Sequence, residues 1–264
     1  MSDHFVDLIP FWIFFALTCL VTLGAIELGL WLGAWRRRKA EHEQAGPVGS
    51  VVGSVLGLLA FIMAFTFGVA ATRYDSRRGL LLDEVNAIGT TWLRAGLLPE
   101  PHRAQTRSLL REYVDLRVDL AHAIKRPDGL RKGIARAEAL QDTLWSHVTT
   151  IAEMDRGDEI NALFISALNE MLDLHTKRVV LVMYRIPVVV WGVLVFVSLL
   201  AMTAVGFHFG LNGRRSFFAN LALALSFSAI LLLINDLDRP LQGWLTVNQR
   251  PMIDLQQKLN AQKP

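Results

Sequence analysis

Cysteine occurs once in this 264-residue chain, as Cys19 inside an apolar stretch, so the sequence offers neither an intramolecular disulfide framework nor a cysteine-rich metal site. Net charge is equally scarce. Lys and Arg number 27 against 24 Asp and Glu, leaving +3, and the basic residues are scattered through helical patterns without interleaved aromatics, which argues against a nucleic-acid surface. The histidines, at positions 4, 42, 102, 122, 147, 175 and 208, form no i, i+4 pair and none adjoins the cysteine, so no zinc site is expected. A glycine-rich phosphate loop, a nucleophile elbow and a kinase signature are all missing, so neither an enzyme nor a cofactor is expected. Strand alternation with hairpin turns is missing too, which makes the expected fold all-α. The opening MSDHFVDLIP is acidic where a signal peptide would be basic. The apolar run after it is too long for a signal core and reads as a retained membrane helix.

What the chain has in abundance is apolar sequence, 52% of all residues, which points to a membrane location. Four stretches suffice to span a bilayer, at about 20 residues each: 11–35, 48–72, 186–210 and 217–234. Between the second and third lies a polar region with apolar residues in helical register, as in LLREYVDLRVDLAHAI, broken at PEP (99–101), RPDG (126–129) and DRGDE (155–159). This reads as three or four amphipathic helices, with Asp158 capping the last of them. The expected organisation is a first transmembrane pair over 1–73, a helical extramembrane domain over 74–185, a second transmembrane pair over 186–235 and a polar C-terminal segment over 236–264. That last segment, with prolines at 240 and 251, is too polar to cross and reads as lying along the membrane surface before a short helix.

Orientation does not follow cleanly from charge. RRRK at 36–39 with Arg214 and Arg215 favours a cytoplasmic position for the short loops, yet Arg73, Arg77, Arg78, Lys177, Arg178 and Arg185 flank the polar region with as many cations.

The second apolar stretch carries the most specific pattern. Residues four apart nearly share a helix face, so Gly49, Gly53, Gly57, Phe61, Phe65 and Val69 form one slowly drifting line. Alongside run Ala60, Ala64 and Gly68, a small-xxx-small row that lets membrane helices approach closely. If copies of this helix surrounded an axis, the Phe61 and Phe65 rings would make a hydrophobic constriction that gates by dewetting. Ring edges carry partial positive charge and tolerate a partly dehydrated anion, and Arg73 and Arg77 would form a basic mouth beyond them. Packing rings with snorkelling arginines remain the bland alternative. Glu27 is the carboxylate deep in an apolar stretch; it reads either as an intramembrane ligand or as half of an ion pair. His208 and Asn212 read as cavity-lining or interfacial groups.

FIMAFTFGVAATRYD, with two phenylalanines four apart followed by Thr-Arg-aromatic, resembles the second membrane helix of bestrophins, pentameric anion channels. YDSRRGLLLDEVNAIGTTWLRAGLLPEP and INDLDRP extend the resemblance to a bacterial bestrophin-like family over nearly the whole chain. The resemblance implies neck positions at Phe61 and Phe65, with Gly57 standing where bestrophins carry a larger apolar residue. It also implies a homo-oligomer, possible as a pentamer, passing small anions, in contact with membrane lipid, seated in the bacterial inner membrane with its central domain in the cytoplasm. Of the calcium clasp of animal bestrophins only Asp236 and Asp238 match, followed by Arg239 and Pro240, so no calcium site is expected. The competing class is a membrane-anchored interaction or sensor protein that conducts nothing.

Overall fold

The structure is a computed structural model, and it describes residues 9–39, 45–123, 129–154, 158–213, 215–240 and 243–262. Among them are eight helices and no strand, in keeping with the all-α expectation: α1 Phe11–Lys39, α2 Ala45–Ala95, α3 His102–Ala123, α4 Gly129–Met154, α5 Glu159–Met183, α6 Val188–Leu211, α7 Phe217–Asp238 and α8 Arg250–Ala261. Among the described residues, four helical stretches each contain an apolar window long enough to cross a membrane, lying within Phe11–Lys39, Pro47–Ala95, Glu159–Leu211 and Phe217–Asp238. Their ends follow local chemistry. Asp158 caps α5 by accepting the Ile160 N–H at 2.9 Å, Ser216 caps α7 by accepting the Ala219 N–H at 3.4 Å, and Pro187 stands at the N-cap of α6. The RPDG and DRGDE breaks fall largely on 126–128 and 155–157, outside the described residues.

The chain divides into two units. The first takes Met1–Tyr74 and Arg185–Leu245, hence α1, the first part of α2, α6 and α7. Its tightest seam joins α1 to α6 through glycine. A Cβ placed on Gly29 would overlap the carbonyl of Thr203, and one on Gly33 that of Phe207; reciprocally, Gly206 faces the Ile26 carbonyl and Gly210 the Leu30 carbonyl. Lipid tails are as apolar as leucine, so burial drives little association inside a membrane; close backbone approach through small residues supplies dispersion contact instead. Ala25, Ile26 and Leu30 of α1 then meet Leu194, Ala201 and Met202 of α6 and Phe227 and Leu231 of α7.

The second unit takes Asp75–Tyr184 and Thr246–Pro264. Its core is a stack of helical stripes: Leu81, Ile88 and Trp92 of α2, Leu110, Tyr113 and Val114 of α3, Leu144 and Val148 of α4, Phe164, Leu168 and Met171 of α5. Helix α8 adds Met252, Leu255 and Leu259, at i, i+3 and i+7, each buried side chain contributing about 2 kcal/mol. Polar contacts fasten its end: the Trp92 indole N–H donates to Gln262 Oε1 at 2.6 Å, and the Arg111 guanidinium donates to the Leu259 carbonyl at 3.2 Å and to that of Gln262.

Candidate functional site

Within the first unit α2 has two unlike faces. Val52, Leu59, Met63, Thr66 and Ala70, at helical spacing, are buried, and Leu59 and Met63 join the core that α1, α6 and α7 build. Thr66 stays satisfied there because its hydroxyl donates to the Ile62 carbonyl at 2.8 Å. The other face carries Gly53, Gly57, Ala60, Phe61, Ala64, Phe65 and Gly68, all exposed. The two rings stand out from the chain, 69% exposed at Phe61 and 67% at Phe65, and a Cβ on Gly53, Gly57 or Gly68 would meet open space. Among the described residues, a single helix thus leaves a row of small residues and two large rings exposed. Glycine and alanine give lipid tails little to pack on, whereas they suit another helix or a lumen.

Beyond the rings, Arg73 is half-buried at the end of the first unit. Arg77, one turn further along α2, is only 7% exposed and belongs to the second unit. Of the two arginines expected at a mouth, Arg73 alone offers appreciable surface in the single chain.

A model of the Bestrophin-like domain matches residues 11–252. The chain belongs to the bestrophin-like family. No curated protein matches it. Among solved structures, a bacterial bestrophin homologue from Klebsiella pneumoniae is similar over 95% of this chain and 98% of its own at TM-score 0.68 and 17% identity. A variant of that homologue aligns over 94% and 99% at TM-score 0.70 and 16% identity. At that level of identity the likeness is one of fold. With four apolar helices, this bestrophin-like chain is an integral membrane protein.

Three acidic residues of the membrane unit have specific partners in this bestrophin-like chain. Glu27 pairs with Arg215 at 3.0 Å, so its carboxylate is matched by a cation from the turn that precedes α7. Asp236 accepts the N–H groups of Trp244 and Leu245 at 2.9 and 3.1 Å, and Asp238 accepts the Ile186 N–H at 3.1 Å. Asp236 holds the chain that follows α7 and Asp238 ties the end of α7 to the segment before α6, tasks that the sequence alone did not reveal. His208 and Asn212 bond to each other's turn, the Asn212 amide donating to the His208 carbonyl at 2.9 Å, while the His208 ring lies beside Gly49.

The second unit holds a buried charged cluster that follows no sequence motif. Glu84, 0% exposed, ion-pairs with Arg178 and with Arg117 at 3.1 Å, and accepts the Tyr113 hydroxyl at 3.1 Å. The Tyr113 oxygen lies 3.1 Å from His175 Nδ1 and accepts from the Gln141 amide at 3.3 Å. Tyrosine has one proton; given to Glu84, it leaves the oxygen to accept from Gln141 and from a neutral His175 protonated at Nδ1. Burial alone would raise the Glu84 carboxyl, but the Arg117 and Arg178 charges outweigh it and hold it below the usual range. Burial, then the Arg117 charge, pushes His175 down to about 4. The sequence did hold a signal: Glu84 interrupts the apolar stripe Leu81, Ile88, Trp92, and a carboxylate in a core register needs partners.

Proposed function

We propose that copies of this chain assemble around an axis into a membrane channel for small anions, with the open face of α2 turned to the lumen. The observation that carries this reading is that face itself: among the described residues, two exposed rings flanked by exposed alanines and by glycines whose Cβ would meet open space. Phe61 and Phe65 form the constriction, a ring of apolar surface that empties of water when narrow. Gly57, one turn earlier, leaves the passage wider there than a bulky apolar residue would. Arg73 marks the mouth and raises the local anion concentration, and Arg77 adds to the same positive field from its buried position.

The bestrophin resemblance supports a pentamer in the bacterial inner membrane, with the helical unit cytoplasmic and the apolar faces of α1, α6 and α7 against lipid. Conduction is passive, with no resident cofactor or metal.

The test is to purify the protein, determine its oligomeric mass, and measure chloride flux from liposomes for the wild type and for Phe61→Ala with Phe65→Ala. An oligomer that passes chloride, several-fold faster in the double variant, supports the reading. A monomer that passes none in either form overturns it and leaves the membrane-anchored interaction protein in its place.

A further inference from the structure

The α1–α6 glycine seam has an effect at the end of α1. It brings the last turn of that helix beside the turn between α6 and α7. Gly213 there has φ 65°, a left-handed conformation that glycine adopts freely, and the Arg37 guanidinium lies so close over it that a side chain would overlap it. Two segments far apart in sequence, Arg36–Lys39 and Arg215, thereby share one end of the membrane unit, and all five cations are exposed. Of these, Arg215 is paired with the Glu27 carboxylate at 3.0 Å. The other described carboxylates of this unit, Asp236 and Asp238, lie at the opposite end of α7 and bond to backbone there.

Aromatic side chains border the same cations. Trp31 and Trp35 are exposed on α1, the Lys39 ammonium sits 4.4 Å over the Trp35 ring, and Phe217 and Phe218 stand exposed at the start of α7 with ring centroids 6.0 Å apart. Exposed tryptophans next to a cationic run belong at the headgroup level of a bilayer, where the ring body meets acyl chains and its polar edge meets water. Four to eight cations just beyond a membrane helix attract anionic headgroups, and guanidinium groups grip phosphate oxygens in pairs.

We propose that this rim, Arg37, Arg38 and Lys39 of α1 with Arg215 of the α6–α7 turn, is a docking site for the headgroups of anionic phospholipids. The site rests on the membrane location alone and holds whether or not the chain conducts. Glu27 keeps Arg215 directed toward α1, and the glycine seam fixes the spacing of the two segments.

Native mass spectrometry of the full-length protein, released from micelles with equimolar phosphatidylglycerol and phosphatidylcholine, tests the site. Wild type should retain phosphatidylglycerol several-fold over phosphatidylcholine at low salt, and the preference should shrink as salt rises. Arg37→Gln with Arg38→Gln and Lys39→Gln should bring the two lipids near parity at unchanged helicity and oligomeric mass. Should the triple variant fail to fold, Arg38→Gln alone should give a partial loss. Equal retention by wild type at low salt overturns the proposal, as does a preference that the variants leave intact. Displacement of phosphatidylglycerol by inorganic phosphate at matched ionic strength would assign the rim to a free anion instead and equally overturn it.

Discussion

Gly206 of α6 sits against the carbonyl of Ile26 on α1 so closely that no Cβ fits between them. Replacing Gly206 by leucine should force the two helices apart, at a cost of about 1–3 kcal/mol or more. A thermal-shift assay in detergent should show a melting temperature lowered by several degrees, with Gly192→Leu, whose Cβ meets open space, as the control that stays near wild type.

Gly57 gives the opposite expectation. A Cβ there meets open space among the described residues, so Gly57→Leu should fold and melt like wild type as a single chain. If Gly57 lines a passage, the same substitution should slow chloride flux by an order of magnitude. Unchanged flux in a conducting protein would remove Gly57 from the lumen.

The helical arrangement was legible because each helix carries its own period. Apolar runs of the right length, breaks at prolines, and Asp158 before α5 all act within a few residues, and the structure agrees with them. Partner choice was not legible in the same way. Gly29 and Gly33, like Gly206 and Gly210, form a small-xxx-small pair that could have been read as a contact face, but spacing within a helix names no partner. Phe61 and Phe65 show the limit from the other side: periodicity placed them on one face, and the single chain leaves that face open. Glu84 names no partner either, since Tyr113, Arg117 and Arg178 lie 29, 33 and 94 residues further along the chain on other helices.

Glu84→Gln should be far more damaging than a surface substitution. It leaves Arg117 and Arg178 buried beside a neutral amide, and breaking a buried pair this way costs about 3–5 kcal/mol. Limited proteolysis should then cut the helical unit at concentrations that leave wild type whole. Protection equal to wild type would mean that the two guanidinium groups find other partners.

Acid should loosen the same unit. His175 is held down to about 4 against an ordinary 6.5, so between those values the unfolded chain takes up a proton that the folded one refuses. Stability is therefore full above pH 6.5 and falls as pH drops toward 4, by at most about tenfold in the folding equilibrium per pH unit. Glu84, also held low, adds a further loss as pH falls below 4.5. Charge near His175 comes from Glu84 on α2, Arg117 on α3 and Arg178 on α5, with Tyr113 beside it. In His175→Gln the pH 6.5 to 4 component of hydrogen-exchange protection should vanish; if it persists, another group titrates.

Calcium should leave the protein's melting temperature unchanged. Asp236 already serves two N–H groups and Asp238 a third, and a hard cation wants six to eight oxygens. A rise in melting temperature on adding calcium, reversed by chelation, would contradict this.

The glycine seam also sets an order of biogenesis. Helix α1 leaves the ribosome roughly 150 residues before α6, which at about 5–20 residues per second is a wait of order ten seconds or more. During that interval Gly29 and Gly33 lack the Thr203 and Phe207 backbone that they meet in the folded unit. The membrane unit closes only when the second half of the chain arrives, so a nascent chain stalled before α6 holds an unmatched helix that insertion chaperones and membrane proteases can recognise.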